Sequence, residues 1–148
     1  MSKNVGEARL ARVLLVEDSP DDVLLTREAL KEAKVANELH VAEDGEEALD
    51  FVRRRGSHSD APRPDLIILD LNLPRKDGRE VLVELKEDSD LQRIPVVVLT
   101  TSASDEDVMR AYEHHVNAYV RKPIGLDRFV EIVQSIDEFW LGIVTLPR

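Results

Sequence analysis

Short apolar runs alternate along this chain with segments whose apolar residues recur at helical spacing. Arg12-Val13-Leu14-Leu15-Val16 is a compact Val and Leu run that stops at Glu17-Asp18. Ser19-Pro20-Asp21-Asp22 predicts a helix start, with Ser19 as N-cap, Pro20 at the first helical position and acids in the first turn. Leu24, Leu25, Ala29, Leu30 and Ala33 then share one helical face. Residues 38–42 alternate as a strand does, and Asp44-Gly45 marks the turn into a second helix carrying Ala48, Leu49 and Val52. The stretch 53–64 is the most loop-like, with Gly56, Ser57, Ser59, Pro62 and Pro64.

Asp65-Leu66-Ile67-Ile68-Leu69 is almost wholly apolar, as expected of a strand buried on both faces of a parallel sheet. Asp70 ends it, residues 74–78 form a turn, and Val81, Leu82 and Leu85 sit on a third helix. Residues 94–99 predict another buried strand, ending at Thr100-Thr101. A helix carrying Val108, Met109 and Tyr112 follows, then a short strand over 118–121 and the pair Lys122-Pro123. The last helix is expected from about 126 to 140, with Phe129, Ile132, Val133 and Ile136 on one face. Five strands alternating with five helices predict right-handed crossovers and a doubly wound parallel α/β sheet. There is no repeat, low-complexity block or linker. One domain therefore fills residues 1–148, with a core over about 11–141 and a short apolar tail over 142–148.

Composition narrows the function. The chain has 148 residues, 43% hydrophobic and 34% charged, enough for one well-solvated globular domain. Twenty Lys and Arg against thirty Asp and Glu leave a net charge of −10. An acidic domain without a basic tail is a poor holder of phosphate backbones, so nucleic acid is not expected as a partner. The absence of cysteine excludes a disulfide scaffold, a thiolate metal site and a Cys nucleophile. The start has no apolar signal-peptide region and no later apolar run is long enough to span a bilayer, so the expectation is a cytoplasmic protein without membrane attachment.

The candidate chemistry lies at the ends of the strands. Glu17 and Asp18 follow the first strand, Asp70 the third, Thr100 the fourth and Lys122 the fifth. Ligands of open α/β sheets bind outside the carboxyl ends of the strands, where these five residues converge. Carboxylates ~4 Å apart at an effective dielectric of ~20 repel by about 4 kcal/mol per pair. A divalent cation with oxygen ligands relieves that repulsion, and Mg²⁺ suits a site of few carboxylates and water. Cation, ammonium and hydroxyl together cover the equatorial oxygens of a transferring phosphoryl group, with Asp70 as nucleophile.

The stretches VLLVEDSPDD, PDLIILDLNLPRKDG, VVVLTTS and YVRKP, in this order and spacing, resemble the receiver domain of two-component response regulators over essentially the whole chain. That resemblance implies a flavodoxin-like (βα)5 fold with strand order 2-1-3-4-5. It implies phosphoryl transfer from a phosphohistidine on a sensor histidine kinase, or from a phosphotransfer protein. By the same resemblance Asp70 is the phosphoacceptor, and Glu17 and Asp18 hold Mg²⁺ with Asp70 and the backbone carbonyl of Asn72. Thr100 and Lys122 engage the phosphoryl group, Tyr119 is the switch aromatic, and a cis Lys122–Pro123 bond aims the lysine. Glu17 stands where many members carry Asp, and both direct and water-mediated metal contact fit its longer side chain. The details VEDSPDD, DLNLPRKDG and FWLGIVTLPR further resemble single-domain regulators that partner bacterial phytochromes.

Each residue also has a plainer reading. Glu17 and Asp18 could cap a helix, Asp70 could form a turn, and Thr100 could be an N-cap, although Ser102 or Ser104 is the better candidate. Lys122 could be a solvated loop lysine and Tyr119 an ordinary strand aromatic. His40, His58, His114 and His115 have no metal-ligand spacing and read as surface or fold residues. An aspartyl-phosphate phosphatase would carry a second Asp two residues past its nucleophile, where this chain has Asn72. A binding-only receiver would have no need of the repulsive acidic cluster. Phe139, Trp140 and Ile143 belong to an ending more apolar than one helix buries, so a homodimer through the last helix and tail is expected. No output domain is expected on this chain, so the expected output is protein contact or onward phosphoryl transfer; by the same resemblance Asn72 and Ser102 occupy the positions where the family tunes its own dephosphorylation.

Overall fold

The computed structural model describes residues 10–32, 36–102, 104–125, 127–132 and 135. The chain alternates β1 (Ala11–Val16), α1 (Pro20–Lys31), β2 (Asn37–Ala42), α2 (Gly45–Arg53), a 3₁₀ turn (Gly56–His58), β3 (Leu66–Leu69), α3 (Gly78–Glu87), β4 (Val96–Thr100), α4 (Asp105–Glu113) and β5 (Ala118–Arg121). A fifth helical segment follows at residues 127–132. The five strands are parallel in the order β2-β1-β3-β4-β5, the flavodoxin-like topology.

Alternation along the central strands divides the core into two layers, because successive side chains of a strand point to opposite faces. Leu14, Val16, Ile67, Leu69, Val96 and Val98 pack with Leu49 and Phe51 of α2 and with Val81, Leu82 and Leu85 of α3. Val13, Leu15, Leu66, Ile68, Val97 and Leu99 pack on the other face with Ala29 and Leu30 of α1 and with Phe129. Burying each such Val, Leu or Ile contributes about 1.5–3 kcal/mol, so the apolar runs of β1, β3 and β4 hold the sheet at its centre.

Local chemistry starts each helix. The side chains of Ser19, Asp44 and Ser104 accept hydrogen bonds from the backbone N–H groups of Asp22, Glu47 and Asp107, and Asp77 forms a capping box with Glu80. Ser104, not Thr100, therefore caps α4. Two expected faces differ. Leu24 is 58% exposed, and its place against the core is taken by the buried Thr26, whose hydroxyl donates to the Asp22 carbonyl at 2.9 Å. Met109 and Tyr112 are also exposed, because α4 meets the core through the small Ala111. His40 and His58 flank the Phe51 ring, with centroids 5.3 and 5.4 Å away, and bond to Glu38 and Glu47. The expected interface residues Phe139, Trp140 and Ile143 and the tail over 142–148 lie outside the described residues. No described helix is long and apolar enough to cross a membrane.

Candidate functional site

Parallel register brings the strand ends to one edge. Val16 pairs with Leu69, Leu69 with Val98, and Thr100 with Arg121. The residue after each strand is therefore delivered to the same rim. Glu17 donates its backbone N–H to the Ala42 carbonyl at 2.9 Å, Asp70 to Val16 at 3.1 Å, and Lys122 to Thr100 at 2.8 Å. These bonds continue the ladder by one step and fix where each side chain leaves the backbone.

Carboxylate oxygens of Glu17, Asp18 and Asp70 lie within 4.8 Å of one another. Glu17 is 1% exposed and Asp70 6%, whereas Asp18 faces solvent. The Lys122 ammonium enters this group and donates to Glu17 Oε1 at 2.8 Å, Asp22 Oδ2 at 2.7 Å and Asp70 Oδ2 at 3.2 Å. Its peptide bond to Pro123 is cis. Burial pushes the Glu17 carboxyl up to about 7, with the Asp70 charge adding to the shift and Lys122 opposing it. Burial by itself would lower the Lys122 ammonium; its hydrogen bonds to Asp22 and Glu17, with the Asp70 charge, hold it above the usual lysine range instead. One lysine thus leaves the acidic group incompletely neutralised. Hard oxygen donors in this number and spacing fit a divalent metal ion.

Thr100 is fully buried at the end of β4, and its hydroxyl oxygen accepts from the Ser102 N–H at 3.4 Å. The Tyr119 ring is half-buried against the core layer formed with α2 and α3, and its hydroxyl donates to the Ser102 carbonyl at 3.1 Å. Thr100 and Tyr119 therefore hold the same loop from two sides. Asn72 sits beside Asp70, its N–H on Asp70 Oδ1 at 3.1 Å and its side-chain nitrogen on Thr101 Oγ1 at 3.2 Å.

Four further residues shape the rim. Asp22 reads in sequence as a first-turn helix acid, yet it is a partner of Lys122. Gly78 lets α3 start against the loop that follows β3: its N–H donates to the Leu71 carbonyl at 2.9 Å, and a Cβ there would lie 2.2 Å from the Asp70 carbonyl oxygen. Arg79 grips Asp107 with two nitrogens, at 2.8 and 2.6 Å, and the Ser102 hydroxyl donates to the same carboxylate at 2.6 Å. Arg79 and Asp107 lie 28 positions apart on different helices, a pairing that no local pattern signals.

Comparison with known proteins agrees with this geometry. Residues 13–134 match the response regulator receiver domain family. The chain is 52% identical over 135 residues to response regulator Rcp1 from Synechocystis, covering 91% of this chain and 92% of Rcp1. The crystal structure of Mn²⁺-bound Rcp1 superposes with a TM-score of 0.81 at 51% identity, covering 93% of this chain and 99% of that one. That of the phosphorylated cyanobacterial phytochrome response regulator RcpA gives 0.83 at 48% identity, covering 95% and 100%. With its sheet order, its rim of acids and its family match in agreement, the chain belongs to the response-regulator receiver domains.

Proposed function

We propose that this receiver domain, filling the chain as a single unit, accepts a phosphoryl group on Asp70 and thereby changes its protein contacts in two-component signalling. The observation that carries the reading is Asp70 itself: a nearly buried carboxylate with the Lys122 ammonium 3.2 Å away and two further acids beside it. A carboxylate so placed is a held nucleophile, and the lysine offers positive charge where phosphoryl oxygens gather. An Asp70 oxygen attacks phosphorus, the bond from phosphorus to the donor imidazole nitrogen breaks, and the imidazole leaves with the electron pair. Glu17, Asp18 and Asp70, with the Asn72 carbonyl, would hold Mg²⁺. When bound, that ion supplies charge neutralisation at the phosphoryl oxygens.

Thr100 and Lys122 engage the phosphoryl group, and the shared hold of Thr100 and Tyr119 on Ser102 carries the change outward. The catalysis concerns the chain's own phosphorylation, and the protein acts as a signalling element. The phosphodonor is a sensor histidine kinase or a phosphotransfer protein. A phytochrome is the favoured kinase because RcpA is a phytochrome response regulator and 95% of the chain matches it. The cytoplasm is its site of action. Two copies pair through the last helix and tail, including Phe139, Trp140 and Ile143, on the strength of the apolar ending FWLGIVTLP.

The test is intact mass after incubation with acetyl phosphate, with and without Mg²⁺. A Mg²⁺-dependent gain of one phosphoryl group, absent in Asp70→Asn, is expected; no gain in either condition would overturn the reading.

A further inference from the structure

The Arg79 guanidinium reaches past its ion pair to the acceptor loop. Its terminal nitrogens both lie 3.4 Å from Asn72 Oδ1, and one lies 3.4 Å from the Leu71 carbonyl. The same group is anchored by two bonds to Asp107 and further contacts to Asp77, at 3.0 and 3.3 Å. A guanidinium has no acceptor, so whichever end of the Asn72 amide faces it must be the oxygen. The amide nitrogen is then left to donate to Thr101 Oγ1, as observed. Asn72 is two residues past Asp70 and donates its backbone N–H to Asp70 Oδ1, so its backbone is fixed beside the reacting carboxylate while its side chain reaches Thr101, the neighbour of Thr100.

We propose that Arg79 is a positioning residue that lengthens the life of phosphorylated Asp70 by keeping the Asn72 amide oxygen occupied and away from an attacking water. This rests on Asp70 being the phosphoacceptor. In hydrolysis, water oxygen attacks phosphorus, the bond from phosphorus to the Asp70 oxygen breaks, and the carboxylate leaves with the electron pair. The proton lost by the water passes to solvent, and inorganic phosphate departs. An amide oxygen beside the site can accept a hydrogen bond from that water and orient it. While Arg79 holds the oxygen, Asn72 lacks a free acceptor for this purpose. The rigid fork is essential: a lysine ammonium cannot span Asp107 and Asn72 together in the same way.

The experiment measures decay of the phosphorylated full chain by intact mass, after removal of acetyl phosphate and in constant Mg²⁺. Arg79→Ala is expected to shorten the half-life by roughly threefold or more, with Arg79→Lys also shortened. In an Asn72→Ala background, Arg79→Ala should add nothing further, since the amide through which it acts is gone. Unchanged decay in Arg79→Ala, or equal acceleration in the Asn72→Ala background, overturns the inference while the acceptor reading stands. Failure of the unsubstituted chain to take up a phosphoryl group overturns both.

Discussion

Lys122 and Glu17, 105 positions apart in the chain, meet at 2.8 Å, with 9% and 2% of their side chains exposed. Such a pair gains from mutual attraction only while both members are present, because each has given up its water. The lysine also donates to Asp22 and Asp70, so it neutralises much of the acidic rim.

Removing that lysine should therefore be costly. Lys122→Met leaves Glu17 and Asp70 facing each other, and the expected loss of stability is about 3–5 kcal/mol above pH 8, where Glu17 is ionised in the unsubstituted chain. Urea unfolding at pH 8.5 and pH 5 checks this. The loss should shrink at pH 5, where Glu17 is protonated, and equal losses at both would contradict the pairing.

Glu17 itself should make the metal-free chain less stable at higher pH. Its carboxyl sits at about 7 in the fold against an ordinary 4.5, chiefly through burial. The folded state then binds this proton more tightly than the unfolded state. Its stabilising contribution is complete below about 4.5 and is lost as pH rises through 7. Thermal unfolding from pH 5 to 8 should show that decline, flattened in Glu17→Gln. Millimolar Mg²⁺ should offset it at pH 8, as a ligand of the folded state alone does.

Asp107 should act in the opposite sense at the acid end. Its hydrogen bond to Arg79, with a further one from Ser102, draws the carboxyl down from 3.8 to about 2 against the opposing effect of burial. Its contribution is present above about 3.8 and disappears as pH falls through 2, an effect on the order of 2 kcal/mol. Asp107→Asn should remove this acid-side dependence in unfolding measured between pH 4 and 2. An unaltered slope would mean that the Arg79 pair does not persist in solution.

The start of α3 should tolerate no side chain at Gly78. A Cβ there meets the Asp70 carbonyl oxygen at 2.2 Å and the Leu71 Cα at 2.6 Å, whereas one at Gly125 meets nothing within 4 Å. Gly78→Ala should cost about 1–3 kcal/mol by overpacking and slow phosphorylation by acetyl phosphate, with Gly125→Ala close to neutral in both. If the two alanines behave alike, α3 does not set the Asp70 backbone.

Removing residues 141–148 should convert the proposed dimer to a monomer in sedimentation or light scattering. A dimer that survives the truncation would place the interface elsewhere.

The sheet was legible in the residue order because burial on both faces demands unbroken apolar runs, and 13–16, 66–69 and 96–99 supply them. Some helix starts were legible as well, since a cap acts within three or four residues of itself: Ser19 and Ser104 read as caps, whereas Asp44 and the turn over 74–78 read only as turns and prove to carry the caps of α2 and α3. Strand-end placement also puts Glu17, Asp70, Thr100 and Lys122 on one rim from the residue order and the strand-end rule alone. Periodicity was less informative about helix faces. Leu24, Met109 and Tyr112 fit an apolar stripe by spacing, yet they face outward because α1 and α4 contact the core through Thr26, Ala29, Leu30 and Ala111. Nor could spacing reveal that Asp22 serves Lys122 or that Arg79 joins Asn72 to Asp107. Polar pairs of this kind leave no periodic trace. Their partners are set by how the crossovers lay one helix beside another, at separations where local pattern carries no information.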